Sequence, residues 1–144
     1  MRVVIMGCGR TGSLLAQELD KARHEVTVID WDAGAFSRLP DSFGGDTVLG
    51  NAVDQDVLVH AGVEEADAFV AATSGDNRNV MACEIAQNVF QVPKVVVRIK
   101  DPNRAKLYSQ LGLEVDCRTR EGARILLDLV ADFESSERSS QLLS

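Results

Sequence analysis

Three glycines, Gly7, Gly9 and Gly12, stand in the spacing G-x-G-x-x-G, and a carboxylate, Asp30, follows 18 positions after the last of them. These residue types at this spacing suit the binding of an adenine dinucleotide. Gly7 permits a tight turn. Gly9 leaves no side chain between backbone N–H groups and a pyrophosphate, and Gly12 lets a helix lie close to a sheet. The helix that opens there adds unsatisfied N–H donors and partial positive charge. Arg10 and Thr11 lie in the same turn, with Arg10 as a mobile cation beside the phosphates. Asp30 can accept hydrogen bonds from ribose hydroxyls and would repel a 2′-phosphate, which favours NAD over NADP. Trp31 either packs against the adenine end or lies on the surface.

Further candidates come from later in the chain. In "GNAVD" (50–54), Asn51 offers a donor and an acceptor, Ala52 leaves room for backbone contact with adenine, and Asp54 suits a helix N-cap. In "ATSGDNRN" (72–79), Thr73 and Ser74 can reach a ribose or phosphate. Asp76 and Asn79 can do the same or cap the helix. Arg98 ends a strand aimed at the same crevice, where it meets either outer phosphates or a nearby acid. His24 and His60 sit at helix ends with no serine, cysteine or acid at a telling spacing, so neither reads as catalytic.

The elements that must position these residues alternate strictly. Strand patterns occur at 3–6, 25–30, 46–50, 67–73, 94–99 and 113–117. Helix patterns occur at 12–22, 33–39, 54–62, 76–90, 103–112 and 120–133. The first of these helices carries Leu14, Leu15, Leu19 and Ala22 on one face. Strict alternation with short apolar strands predicts an α/β fold: a Rossmann-type, doubly wound parallel sheet of six strands in the order 3-2-1-4-5-6, with helices on both faces. The folded domain is expected over residues 2–133, and the serine-rich segment 134–144 is expected to be a frayed or disordered tail.

With 144 residues and 45% hydrophobic content, one globular domain is expected. No apolar run approaches the roughly 20 residues of a membrane span, and the N-terminus shows no signal-peptide pattern. The net charge of −7 argues against a broad basic nucleic-acid surface. Cys8, Cys83 and Cys117 lack metal spacing and read as reduced cytosolic thiols. No nucleophile–base arrangement stands out, so binding is favoured over catalysis. The alternative is the cofactor domain of an NAD-dependent oxidoreductase whose catalytic part lies elsewhere.

"GCGRTG", "VTVIDWD", "LGNAVDQDVLVHAGVEEADAFVAATSGDNRNVMAC" and "VVVRIKDPNRAKLYSQLGLEVD" together resemble the RCK N-terminal domain, also called KTN or TrkA-N, of potassium-transport regulators. The likeness extends over residues 2 to about 130, and its middle block is more specific than the glycine motif. It implies a cytoplasmic, non-enzymatic regulatory domain that binds ATP, ADP, NAD or NADH. It also implies homodimers, assembled as a ring beneath a membrane-embedded potassium channel or transporter. By position it implies that Gly7, Gly9, Arg10 and Gly12 hold phosphates, Asp30 the ribose, and Asn51 and Ala52 the adenine side. Thr73 and Arg98 would line the sugar–phosphate crevice. The last helix bears Ile125, Leu126, Leu129 and Val130, a stripe suited either to dimerisation or to packing on its own sheet. Many relatives carry a proline and a metal-linked acid after the sixth strand. Here "VDCRTREG" has no proline and Glu121 is only a stand-in, so no metal is expected. Many relatives also carry a C-terminal ligand-binding domain; this sequence stops at Ser144 without one, as either a stand-alone subunit or an excised fragment would, and sensing by such a domain is not expected.

Overall fold

The computed structural model describes residues 1–143. Six strands form one sheet: β1 (Arg2–Met6), β2 (Glu25–Asp30), β3 (Asp46–Leu49), β4 (Ala68–Ala71), β5 (Lys94–Arg98) and β6 (Glu114–Asp116). Every pairing is parallel, and the order is β3-β2-β1-β4-β5-β6, as the alternation predicts. The helices are α1 (Arg10–Lys21), α2 (Gln55–His60), α3 (Asp76–Asn88), α4 (Pro102–Gln110) and α5 (Arg118–Leu143); Ala33–Arg38 and Val63–Glu65 are 3₁₀ turns.

Side chains of period two divide the core between the two sheet faces. Val3 and Ile5 of β1 face one side, with Val26 and Val28 of β2 and Ala16, Leu15 and Leu19 of α1. Val4 and Met6 face the other, with Phe69, Val95 and Val97, beneath Leu58 of α2, Val80, Cys83 and Ala86 of α3, and Ala105 of α4. Phe69, Ile5, Ile29 and Leu58 are fully buried, each worth about 1.5–3 kcal/mol of transfer free energy. Gly62 and Gly112, both at positive φ, end the turns of chain after α2 and α4.

Two details depart from the sequence expectations. The buried side of α1 is Gly12, Ser13 and Ala16, while Leu14 is exposed, because the helix is rotated to bring Gly12 against the glycine turn. The second concerns the segment expected to fray from residue 134. It continues α5 without a break to Leu143; Ser144 lies outside the described residues. No glycine or proline follows Gly122 to interrupt it, and Arg138 pairs with Glu134 one turn back. Along α5, Ile125, Leu126, Leu129 and Val130 are all more than half exposed, so the stripe does not pack on its own sheet.

Candidate functional site

The chain order β3-β2-β1-β4 reverses direction between β1 and β4, and the loops leaving those two strands must diverge. A cleft of about 630 Å³ opens there, at the carboxyl ends of the strands. One wall comes from the loops after β1, β2 and β3, and the other from the loops after β4 and β5.

The glycine turn forms the floor. Gly7 has φ +107°, a conformation a side chain rarely adopts, and its N–H donates to Ile29 O at 2.7 Å. A Cβ on Gly7 would press on Thr73 at 3.1 Å, so the turn touches the opposite wall. A Cβ on Gly12 would lie 1.9 Å from Gly7 O; the helix starts against the turn's own backbone. Gly9 differs, since a Cβ there would meet nothing within 4 Å. It lines the cleft, and a side chain would project into space that a ligand can use. Gly9 also N-caps α1 without a side-chain cap, so the first-turn N–H groups remain available.

Asp30 is half-buried and oriented by backbone donors. Cys8 N–H donates to Oδ2 at 2.8 Å and Asp32 N–H to Oδ1 at 2.9 Å. Each oxygen keeps a second lone pair for a ribose hydroxyl. Asp32, not Asp30, caps the following 3₁₀ turn, through Gly34 N–H. Burial, then the Asp30 carboxylate, pushes the Cys8 thiol pKa up, with Arg38 opposing. Burial lifts that of Cys83 to about 12. Both thiols are protonated at neutral pH and poor nucleophiles.

The second wall is organised by Asn79, which is fully buried on α3. Its Nδ2 donates to Thr73 O and to Arg98 O, both at 2.9 Å. Its Oδ1 accepts from Thr73 N–H at 3.2 Å and from the Thr73 hydroxyl. All four bonding positions of the amide are therefore filled, and they lock the ends of β4 and β5 together. Arg98 reaches across to Thr11 Oγ1 at 3.4 Å, while its buried Nε has no hydrogen-bond partner among the described residues. Asp76 does not face the cleft. Its carboxylate accepts from Lys100 N–H and Asp101 N–H and holds the loop before α4.

Of the residues singled out from sequence, Gly7, Gly9, Arg10, Thr11, Asp30, Trp31, Asn51, Ala52, Thr73 and Arg98 all line this cleft, with Ser74 beside them. Gly12 does not line it; it sets the helix position. Asn79 and Asp76 support the wall rather than facing the cleft. The sequence reading missed Arg38 and Arg78, both of which line the cleft. Arg78 was visible as a cation in the first turn of the helix after β4, but its direction was not. Arg38 sits eight residues past Asp30, where no motif marks it.

The charges are asymmetric. Arg10, Arg38, Arg78 and Arg98 line the cleft with one carboxylate, Asp30. Seven other bases of the chain form ion pairs with acids, and among the described residues none of these four does. A cleft that keeps uncompensated guanidinium groups in a chain of net charge −7 suits a polyanion. Together with the open space at Gly9 and the unpartnered Arg98 Nε, the residues fit the phosphates of a nucleotide. Among the described residues, no group of three or more His, Cys, Asp or Glu is placed to hold a metal ion. Nor is any described helix long and apolar enough to cross a membrane.

The chain is 53% identical over 113 residues to a Trk system potassium uptake protein TrkA of Streptomyces coelicolor, an alignment covering 78% of this chain and 51% of that protein. A TrkA homolog of Pyrococcus abyssi is 33% identical over 77% of this chain and 49% of its own length. The chain thus spans about half the length of these curated relatives. The TrkA-N domain of the inner membrane protein ybaL from Escherichia coli has the same fold, with TM-score 0.79 and 23% identity over 89% of this chain and 95% of that one. So does GsuK bound to ADP, with TM-score 0.69 and 24% identity over 83% and 31%. The GsuK channel bound to NAD gives 0.67 and 23%, over 79% and 21%. The model of the TrkA-N domain matches residues 3–116, and the chain belongs to that family.

Proposed function

We propose that this domain binds an adenine nucleotide, ATP or ADP or NAD(H), in the strand-end cleft and thereby regulates a membrane-embedded potassium channel or transporter. The observation that carries the reading is the combination in one cleft of the open Gly9 turn, the oriented Asp30 carboxylate and four arginines without acidic partners among the described residues. The naming of the curated relatives as potassium uptake proteins, and the ADP and NAD bound to GsuK, support it. In this reading phosphates lie on Gly7, Gly9, Arg10 and the first turn of α1. The ribose lies on Asp30, the adenine beside Asn51 and Ala52, and the outer phosphates near Thr73 and Arg98. The domain performs no chemistry on the ligand. It works on the cytoplasmic side, attached to the membrane through its partner.

Regulation requires that the ligand favour one assembly over another. The exposed stripe of α5 supplies the surface: Ile125, Leu126, Leu129 and Val130 pair with the same residues of a second copy, and such dimers build a ring. The test is calorimetric titration of nucleotide-stripped protein with ATP, ADP, NAD, NADH and NADPH, with mass followed by light scattering. Micromolar binding of ADP or ATP with a change of assembly supports regulation. Binding of NAD(H) alone moves the reading to an oxidoreductase cofactor domain. Absence of binding by every nucleotide overturns it.

A further inference from the structure

Arg78 stands apart from the other cleft arginines in how it is held. Its Cζ lies 3.6 Å from the centroid of the Trp31 ring. Trp31 follows β2 on one wall, and Arg78 sits in the first turn of α3 on the other. The pair therefore spans the mouth of the cleft, and both residues line it. Trp31 is 58% exposed, so the ring is not part of the core that folding requires.

Stacking engages the face of a guanidinium and leaves its edge, with all the N–H donors, in the plane. A ring beneath Arg78 thus fixes the fork without consuming its hydrogen bonds, and reduces the rotamer freedom that a ligand would otherwise have to freeze. The backbone is shaped for the same pose. A Cβ on Gly75 would fall 2.9 Å from Arg78 Nε and 3.1 Å from Arg78 Nη2. Gly75 has φ −100°, which any residue tolerates, so the glycine is explained by the room it leaves for the arginine.

We propose that Arg78, stacked on Trp31, is a further phosphate-binding residue of this cleft and makes the site discriminate nucleotides by their phosphates, Trp31 being its positioning residue. The inference rests on the nucleotide-binding reading above. Adenosine offers the edge of this guanidinium only neutral acceptors, whereas a phosphate accepts a stronger, charge-assisted pair of hydrogen bonds from it. The step from adenosine to ADP is therefore where Arg78 acts. Arg78→Lys keeps the charge but loses the fork, and does not restore the effect.

The test is titration of the full chain with adenosine, AMP and ADP, for the wild type and for Arg78→Ala, Arg78→Lys, Gly75→Ala, Trp31→Ala and Trp31→Phe, with thermal unfolding recorded for each. Gly75→Ala keeps Arg78 in the chain and moves only its pose, so it stands in if Arg78→Ala folds poorly. Expected is a loss of about tenfold in ADP affinity for Arg78→Ala and Arg78→Lys, and a smaller loss in the same direction for Gly75→Ala, whose Cβ displaces only the flexible end of Arg78, with adenosine affinity unchanged. Trp31→Ala is expected to lose a similar factor on ADP, and Trp31→Phe to retain most of it. Unchanged ADP affinity in Arg78→Ala overturns the proposal while the nucleotide reading stands. Equal losses on adenosine and ADP also overturn it, because they make the pair a platform for the base. A wild type that binds none of the ligands overturns both the proposal and the reading beneath it.

Discussion

The two walls of the cleft reach the same end by opposite means. On the β1–β2 side the positioning groups are backbone: the N–H of Gly7 on Ile29, and the N–H groups of Cys8 and Asp32 on the Asp30 carboxylate. On the β4–β5 side they belong to one buried side chain, Asn79, with four hydrogen bonds to Thr73 and Arg98. Backbone positioning demands residues that lack something, namely glycines. Side-chain positioning demands one residue that has everything in place. The first wall should therefore fail when atoms are added, and the second when atoms are removed.

Adding a methyl group to the first wall gives the largest expected effect, and its size depends on which glycine receives it. Gly12→Ala puts a Cβ 1.9 Å from a backbone oxygen that cannot move without opening the turn. A destabilisation on the order of 3 kcal/mol or more is expected, read as a fall in the urea midpoint. Gly9→Val is the contrast. Its side chain meets no protein atom within 4 Å at Cβ, so the midpoint should hold while titration shows nucleotide binding lost. If both variants unfold, or both keep binding, the two glycines do not divide into a structural and a ligand-facing role.

Removing atoms from the second wall comes next. Asn79→Ala strips partners from Thr73 N–H, Thr73 O and Arg98 O, at a cost of about 2–4 kcal/mol. Affinity should fall too, because Thr73 and Arg98 lose their common anchor. A folded Asn79→Ala with wild-type stability and affinity would mean that water replaces the amide and that the wall is not held by it.

The difference between the walls also explains what could be read from the sequence. The glycine spacing and Asp30 announce themselves because backbone positioning leaves a compositional gap at fixed offsets. The parallel sheet order followed for a similar reason, since apolar runs alternating with helical periods admit few topologies. Asn79 gave no such signal. A polar residue at the end of "SGDNRN" looks the same whether it caps, faces solvent or is buried, and only the approach of β5 to β4 decides. Arg78 and Arg38 were hidden for the same reason: an arginine's direction depends on what it lies against. The continuation of α5 past residue 133 was missed because serine-rich composition suggested fraying, whereas i,i+4 pairing and the lack of any breaker allow the helix to extend.

Asp30→Ala lies between structure and binding. It removes the charged acceptor for Cys8 N–H and Asp32 N–H, each bond worth about 1.5 kcal/mol or more. The turn is still closed by Gly7 and Gly12, so the fold should persist at reduced stability. Affinity for NADH should fall about tenfold, the usual scale for hydrogen bonds to a charged acceptor. NADPH should lose less, since the carboxylate that repels its 2′-phosphate is gone. The ratio of the two affinities by titration is the measurement. An unchanged ratio would make Asp30 a buttress of the glycine turn and not a reader of the sugar.

The smallest effect should come from Arg10, and it sharpens the comparison most finely because Arg10 belongs to the first wall by sequence but not by its manner of positioning. Its side chain is exposed at the start of α1 and makes no ion pair among the described residues, while its carbonyl accepts from the Ser13 hydroxyl. Nothing in the fold depends on the guanidinium, so Arg10→Ala should leave the urea midpoint within about 0.5 kcal/mol of the wild type. What it contributes is charge near the first-turn N–H groups, in contact with solvent. Such an interaction is screened over about 10 Å at 0.1 M salt. Affinity for ADP should fall a few-fold at low ionic strength, and the gap between wild type and variant should close as salt is added. Arg98, half-buried and tied to the Asn79 network, should show no such convergence. A salt-independent loss in Arg10→Ala would place its guanidinium in a fixed hydrogen bond to the ligand, and a lowered midpoint would make it part of the turn.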